Sequence, residues 1–308
     1  MSAVPSATAD QPASLEARLA RFPARQVELA SQRVLSYREA ASAVHAAHAT
    51  YATHAASDAL PLVLLHGIGS GAASWVQQFE ALGASRRVLA WDAPGYGAST
   101  PVAAASPAAR DYADVLNEWL DALGIERCVL VGHSLGAIIA GAFAVLHPER
   151  VAGLLLLSPA GGYGAACADV RDTKRDQRLA MLTELGPQGL AEKRSANMVS
   201  ANASDEARAW VRWNMSRVIP YGYAQATHLL ANADLAADLA RYTGRIDIAV
   251  GADDVITTPA ACARLALAAN TQLQVVPRAG HAGYIEASAT YTAIIDTFCR
   301  ASAGQRSQ

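Results

Sequence analysis

The chain has 308 residues, is 52% hydrophobic, and carries 25 basic and 27 acidic side chains for a formal net charge of −2. This length and apolar content predict a globular chain with a sizeable core. No cluster of lysine and arginine stands out, which argues against nucleic acid as a partner, and no apolar run approaches the roughly 20 residues that span a bilayer. No secretory signal is visible, so we expect a cytoplasmic protein that acts on a small molecule.

The cysteines, Cys128, Cys167, Cys262 and Cys299, are widely spaced and form no C-x-x-C pair. Such spacing argues against a zinc site and against a disulfide framework, so we expect reduced thiols. Nothing else in the sequence indicates a metal or another cofactor, and we expect none.

Residues 1 to 20 are rich in Ala, Ser, Pro and Thr and are expected to form a flexible tail. Residues 25 to 40 contain two short alternating segments around a polar turn, which predicts a β-hairpin. An Ala-rich stretch with His45, His48 and His54 follows. Two histidines on one helix face without a carboxylate or thiolate partner make a poor metal site, so a solvated insertion is favoured.

From residue 60 onward, short apolar runs that end in Gly-, Pro-, Asp- or Ser-rich turns alternate with helical patterns. The runs are "LPLVLLHG", "RRVLAWDAPG", "RCVLVGHS", "VAGLLLLSP", "RIDIAVGADD" and "QLQVVPRAGH". Nearly continuous apolar strands that alternate with helices are typical of a parallel sheet covered on both faces. The sequence therefore predicts the α/β fold class.

Residues 161 to 241 interrupt this alternation with helical patterns and no strand run. Ser204 precedes one of these patterns and is a candidate helix N-cap. We expect this region to be a helical cap inserted over the strand ends, with residues 21 to 160 and 242 to 308 forming the core.

The stretch "VGHSLG" places Ser134 between Gly132 and Gly136, directly after a predicted strand and before a predicted helix. A strand that turns at once into a helix holds the residue at the turn in strained dihedrals, and flanking glycines let neighbouring backbone pass without a Cβ clash. The bend lifts the serine hydroxyl above the sheet. Ser134 is therefore a candidate nucleophile, which needs a base and an orienting acid.

Both partners follow later predicted strands. The run "RIDIAVGADD" ends in Asp253 and Asp254, and "QLQVVPRAGH" ends in His281. Because ligands bind at the carboxyl ends of parallel strands, we expect one of these acids and the histidine to lie near Ser134.

A glycine-rich segment, "HGIGSG", follows the first predicted parallel strand. Its backbone can approach a substrate oxygen closely. The backbone N–H groups of Ile68 and Leu135 are the predicted pair of donors to an oxyanion.

Together these segments resemble the α/β-hydrolase superfamily over residues 26 to 299. The resemblance rests on "HGIGSG", "WDAPGYGAS", "GHSLG", "GADD" and "AGHAGYIE", which stand in the family's order. It implies a three-layer α/β-hydrolase fold with a mostly parallel sheet and an inserted helical cap. It also implies Ser134 as nucleophile, His281 as general base and acid, and Asp254 rather than Asp253 as the orienting carboxylate, since the family's turn reads Gly, two residues, Asp.

The resemblance further implies hydrolysis of a carboxylic ester or lactone of a small, apolar or aromatic substrate through an acyl-enzyme on Ser134. Trp210, Trp213 and Tyr221 of the predicted cap are candidates to line the substrate pocket, and the neighbouring Met215 and Tyr223 are further candidates. His66, His133 and Asp92 are expected to be structural, with His133 directed back toward the sheet. A homo-oligomer is compatible with the sequence.

Other functions stay open. C–C bond hydrolases of the meta-cleavage-product type resemble this chain, but their elbow usually reads Asn-Ser-Met and a Trp follows their histidine, whereas this chain has His133, Leu135 and Ala282. A perhydrolase or acyltransferase on the same scaffold would pass the acyl group to an acceptor other than water. A binding protein built on a hydrolase fold is a third alternative.

Overall fold

The computed structural model of the protein describes residues 14 to 41 and 59 to 304. The histidines His45, His48 and His54 and residues 1 to 13 of the expected tail lie outside the described residues. Within these ranges one sheet contains eight strands, β1 (Arg25–Glu28), β2 (Val34–Ala40), β3 (Leu62–Leu65), β4 (Val88–Trp91), β5 (Cys128–His133), β6 (Val151–Leu157), β7 (Ile246–Gly251) and β8 (Leu273–Val276).

The strands lie in the order β1-β2-β4-β3-β5-β6-β7-β8. All pairings from β4 to β8 across the sheet are parallel, and those of β2 with β1 and with β4 are antiparallel. Every residue of β5 and β6 is buried. The predicted parallel sheet is confirmed, and so is the predicted hairpin, in which Val27 pairs with Leu35.

The described chain also forms eleven α-helices, which are α1 (Leu15–Ala20), α2 (Val76–Leu82), α3 (Ala109–Ala122), α4 (Leu135–Leu146), α5 (Ala168–Arg194), α6 (Asp205–Met215), α7 (Pro220–Asn232), α8 (Leu235–Leu239), α9 (Pro259–Ala268), α10 (Gly283–Glu286) and α11 (Ser288–Ala303). Short 3-10 turns cover Ala72–Trp75, Pro148–Arg150 and Ser195–Met198. None of the helices in the described ranges is long and apolar enough to cross a membrane.

Helices cover both faces of the sheet. On one face, α3 and α4 pack against the strands, and Trp119 of α3 stacks on Trp91 of β4 with ring centroids 6.1 Å apart. On the other face, α2 and α11 contribute the buried side chains of Phe79, Ile295 and Phe298. Burial of each large apolar side chain is worth about 1.5–3 kcal/mol, so the two layers fix the sheet firmly between them.

Helix α1 contradicts part of the expected tail. Residues 15 to 20 are helical, with the Ser14 hydroxyl accepting a hydrogen bond from the Ala17 N–H as the N-cap. Leu19 is buried in the core layer of α2 and α11, and Arg18 forms ion pairs with Glu80 and Glu206. The prediction of a flexible tail over residues 1 to 20 is therefore wrong for residues 15 to 20. A buried leucine and an ion-pair network hold this helix against the core.

The helical cap consists of α5 to α8 and follows β6. Ser204 is the N-cap of α6, as predicted, and accepts a hydrogen bond from the Ala207 N–H. The cap is joined to the core by Gln225 of α7, whose Nε2 donates to the carbonyls of Val102 (2.9 Å) and Ala104 (2.8 Å). These contacts hold the cap above the carboxyl ends of the strands.

Candidate active site

Ser134 stands at the junction of β5 and α4. Its backbone has φ 53° and ψ −113°, a strained conformation for a residue with a Cβ. The turn is held by the Ser134 N–H, which donates to the Leu157 carbonyl at 3.1 Å, and by the Ser134 carbonyl, which accepts from the Ala137 N–H at 3.1 Å. The strand-to-helix elbow predicted from the sequence is thus present.

The flanking glycines are required by close packing. A Cβ on Gly132 would lie 2.5 Å from the Gly136 carbonyl oxygen, and one on Gly136 would clash with the Leu65 carbonyl oxygen. Because these neighbours are backbone atoms, they cannot move aside. Any larger residue at either position would displace the serine.

The His281 imidazole lies after β8 and is hydrogen-bonded to Asp254. Nδ1 of His281 donates to Oδ2 of Asp254 at 2.9 Å, and both side chains are buried. Asp253 is exposed, and its N–H donates to the Ala279 carbonyl. The structure therefore brings His281 to the second of the two adjacent acids.

Asp254 is held as a carboxylate by several donors. Oδ1 accepts from the N–H groups of Ile256 and Thr257, both at 2.8 Å, and Oδ2 accepts from the Thr257 hydroxyl at 2.8 Å. Burial by itself raises the pKa of Asp254, but the contact with His281 and the Thr257 hydrogen bonds outweigh it and lower this pKa to about 2. The acid is ionised at neutral pH and keeps the Nδ1 proton on the imidazole.

Sequence reasoning missed Thr257. Besides its bond to Asp254, its Oγ1 lies 3.1 Å from Nδ1 of His281 and 3.0 Å from the Ser158 carbonyl. The signal in the sequence is a threonine three residues after the acid, a spacing that allows a side chain to return to the turn. Thr257 orients the pair of Asp254 and His281.

Ser134 and His281 line the same cavity. In the described part of the chain, Oγ of Ser134 and Nε2 of His281 form no hydrogen bond with each other. Bonds of this kind often tighten only when substrate is bound. The elbow, the imidazole and the acid nevertheless meet at the same edge of the sheet, as the topology requires.

Ile68 and Leu135, whose backbone N–H groups are the predicted oxyanion donors, also line this cavity. Neither donates to a protein acceptor within residues 14 to 41 and 59 to 304. The loop of Ile68 is fixed by the Tyr96 hydroxyl, which donates to the Ile68 carbonyl at 2.9 Å. Free N–H groups at a helix start and on a fixed loop are suited to bind a developing negative charge.

His66 braces the same loop, as expected. Its Nδ1 donates to the Gly67 carbonyl at 2.8 Å, and its Nε2 accepts from the Ala93 N–H at 3.0 Å. Asp92 accepts from the Ala72 N–H and the Ser36 hydroxyl. Both residues shape the loops below the cavity.

His133 does not point back toward the sheet. Its ring packs against His281 and Tyr284, with centroids 4.9 and 4.6 Å apart, and Nε2 donates to the His281 carbonyl at 2.9 Å. Burial, followed by the neighbouring His281, lowers the pKa of His133 to about 3, so the ring is neutral. The His133 backbone remains in the sheet, paired with Leu157, and its side chain contacts the segment that follows β8.

The cavity has a volume of about 480 Å³. The cap contributes Met198, Val211, Asn214, Met215 and Tyr223 to its wall. A pocket of this size suits a small molecule. Within the described residues, no three His, Cys, Asp or Glu side chains come together as metal ligands.

Trp210, Trp213 and Tyr221 do not line the cavity, so that prediction is wrong. Trp210 and Trp213 stack on each other at 4.9 Å, and the Arg217 guanidinium covers Trp213 at 3.7 Å. Tyr221 is 56% exposed. The helix face explains the outcome, because Val211 is rotated about 100° from Trp210 and takes the position toward the cavity. Of the further candidates, Met215 and Tyr223 do line it.

Comparison with known proteins identifies the family of this chain. A model described as the alpha/beta hydrolase family matches residues 62 to 293. The chain belongs to the alpha/beta hydrolase family. A putative carbamate hydrolase RutD from Variovorax paradoxus (strain S110) is 30% identical over 265 residues, which cover 80% of this alpha/beta hydrolase and 94% of that protein.

Other relatives match in part or only in fold. The 1-acylglycerol-3-phosphate O-acyltransferase ABHD5 from Sus scrofa is 37% identical over 108 residues, 34% of this chain, and the match spans about a third, 31%, of that relative's length. The enol-lactonase from Burkholderia xenovorans LB400 is 22% identical, with a TM-score of 0.76 over 90% of this chain and all (100%) of that one. The predicted α/β-hydrolase fold is confirmed.

Proposed function

We propose that this alpha/beta hydrolase cleaves a carboxylic ester or lactone of a small, apolar or aromatic substrate through an acyl-enzyme on Ser134. One observation carries the proposal. Ser134 at its strained elbow and His281, which is hydrogen-bonded to Asp254, line one cavity, and Ile68 and Leu135 line it as well. Nucleophile, base, acid and anion donors are all required for acyl transfer.

In the proposed first half, the Ser134 oxygen attacks the substrate carbonyl carbon while Nε2 of His281 takes the hydroxyl proton. Asp254 holds Nδ1–H and stabilises the positive imidazole. The carbonyl oxygen becomes an oxyanion that accepts hydrogen bonds from the Ile68 and Leu135 N–H groups. Loss of one such donor typically costs about 10²–10³ in rate.

The first half ends when the bond to the leaving oxygen breaks and His281 gives its proton to that oxygen, and the second half starts from the acyl-enzyme. A water molecule then gives a proton to His281 and attacks the acyl carbon. The acyl group leaves as a carboxylic acid, and Ser134 recovers its proton. The cycle consumes one water and needs no other reactant.

The relatives support this chemistry and indicate its variants. An esterase and an enol-lactonase share the fold, and RutD, which matches across most of the chain, is named a putative carbamate hydrolase. Carbamate cleavage by the same residues is therefore the second candidate. Because ABHD5 is named an acyltransferase, product analysis with p-nitrophenyl acetate should include an alcohol acceptor beside water. The cytoplasmic location, the domain boundaries and the homo-oligomer stay predictions.

The proposal is tested by labelling with a fluorophosphonate and by turnover of p-nitrophenyl acetate. We expect the label on the peptide that contains Ser134 and no label or turnover in Ser134→Ala. The matched control is Ser302→Ala, which removes a buried hydroxyl bonded to the Phe298 carbonyl away from the cavity and should retain both activities. Ester turnover by folded Ser134→Ala would overturn the assignment.

A further inference from the structure

Two arginines of α5, Arg178 and Arg194, border the cavity on its cap side. They are 16 residues apart, which is about 24 Å along a straight helix. The helix is kinked at Gly186, whose φ of 61° and ψ of −179° are not helical, and Pro187 follows. The helix is therefore not straight between the two arginines, and both residues line one cavity.

Neither guanidinium has a carboxylate partner within the described residues. Nη1 of Arg178 donates to the Tyr223 hydroxyl at 3.2 Å. By contrast Arg175, one turn away on the outer surface of α5, pairs with both Asp172 and Asp176. Among the arginines of α5, Arg171 and Arg175 pair with carboxylates, and within the described ranges Arg178 and Arg194 do not.

Arg178 and Arg194 repel each other, and Arg264 of α9 is a third arginine in the cavity wall. Burial, and then the charge of Arg178, lower the pKa of Arg194 from its ordinary value, while Tyr223 and Tyr163 act in the opposite direction. Asp234 also borders the cavity, but its Oδ1 caps α8 by accepting from the Ala237 N–H. A partly buried, uncompensated pair of positive charges is costly unless a bound anion neutralises it.

We propose that Arg178 and Arg194, together with the hydroxyls of Tyr163 and Tyr223, bind an anionic oxygen group, a carboxylate or a phosphate, on the substrate. Planar guanidinium groups bind both kinds of anion through paired N–H donors. The inference rests on the proposed function in that the anion belongs to the ester or lactone that Ser134 attacks. It makes the substrate a charged molecule with an apolar middle.

The subsite lies apart from the reacting atoms. Arg178 and Arg194 lie on the cap helix α5, whereas Ser134 follows β5 and His281 follows β8 of the sheet. Burial raises the pKa of Tyr96, and the positive charge of Arg178 opposes this rise. The Tyr96 hydroxyl holds the Ile68 loop. The anion would therefore lie on the cap side of the cavity and would orient the substrate rather than take part in bond cleavage.

Direct binding of glutarate and of glycerol 3-phosphate, each measured by calorimetry on the full chain, tests the subsite. One of them should bind, and Arg178→Gln/Arg194→Gln should weaken that binding about 10- to 100-fold. The matched control, Lys174→Gln/Lys193→Gln, removes the same charge from exposed neighbours on α5 that do not border the cavity. Glutarate binding indicates a carboxylate, and glycerol 3-phosphate binding indicates a phosphate.

The proposal is overturned if neither compound binds or if the arginine variants bind as well as the control. Should the double variant fail to fold, Arg194→Gln alone is measured, and it should keep or raise the melting temperature because it removes an unpaired charge.

Turnover separates this inference from the proposed function. Mono-4-nitrophenyl glutarate carries a carboxylate, and 4-nitrophenyl pentanoate is an uncharged ester of the same chain length. If the anion is a carboxylate, kcat/KM for the first divided by kcat/KM for the second should be about tenfold or more lower in the arginine variant than in the wild type, and unchanged in the lysine control. If the anion binds through the arginines but neither ester is turned over, the anion subsite is supported and the proposed ester hydrolysis is contradicted. If both esters are turned over but neither anion binds, ester hydrolysis is supported and the anion subsite is contradicted.

Discussion

The two sides of the cavity differ in how their polar groups are satisfied. On the sheet side, Asp254 accepts four hydrogen bonds and His66 uses both ring nitrogens within the protein. On the cap side, Arg178 and Arg194 lack a carboxylate partner in the described chain, and their neighbours Met198 and Met215 are apolar. The protein thus fixes the carboxylate and the bracing histidine of the sheet side, whereas it leaves the two cap arginines without a counter-charge that a substrate could supply.

If the sheet side carries the chemistry, Asp254→Asn should have the largest effect. The asparagine cannot hold the imidazole in the required tautomer, so kcat for p-nitrophenyl acetate should fall about 10⁴-fold. Asp253→Asn, which changes the exposed neighbour, is the matched control and should leave kcat unchanged. A loss of kcat in Asp253→Asn but not in Asp254→Asn would show that Asp253 is the acid.

The same carboxylate should make stability depend on pH. Its pKa in the folded protein is about 2, below the ordinary 3.8, so its stabilisation is complete above about pH 4 and is lost as pH falls through 2. The shift corresponds to on the order of 2 kcal/mol in the free energy of unfolding. Urea unfolding at pH 5 and pH 2.5 should show this extra loss in the wild type but not in Asp254→Asn. Equal losses in both would contradict the pKa.

Substitutions of Thr257 test whether its hydroxyl supports catalysis through Asp254. Thr257→Val removes the hydroxyl that bonds Asp254 and should lower kcat about tenfold at constant KM. Thr257→Ser should restore most of the rate because it keeps Oγ. Thr271→Val, which removes a hydroxyl bonded to the Ile246 carbonyl outside the cavity, controls for the substitution itself. A change in KM alone would mean that Thr257 does not act through the acid.

On the cap side we expect effects on substrate choice and smaller magnitudes. Met215→Ala enlarges the apolar wall and should change kcat/KM for 4-nitrophenyl hexanoate by about fivefold, with little change for the acetate. Tyr221→Ala, on the exposed side of the cap, should change neither. Equal responses of the two variants would show that the cap wall is not where the structure places it.

The sequence predicted most of the sheet side and little of the cap side. The meeting of Ser134, Asp254 and His281 follows from short motifs at strand ends, because parallel topology brings those ends to one edge. The inward face of α6 was predicted wrongly, since a single step along a helix decides whether Trp210 or Val211 faces the cavity.

Tertiary structure decided the remaining features. Arg178 and Arg194 meet only because α5 is kinked at Gly186, and nothing in their spacing signals this. Helix α1 was missed because a single buried residue, Leu19, docks a segment of tail-like composition. The catalytic roles themselves stay predictions from the motifs and their geometry.

The central claim is that Ser134 carries the acyl group, and the most direct measurement is mass spectrometry of the protein quenched in acid during turnover of p-nitrophenyl acetate. The account predicts an acetyl group on the peptide that contains Ser134, absent from Ser134→Ala. Turnover with no acylated peptide, or with the acetyl group on another residue, would contradict it.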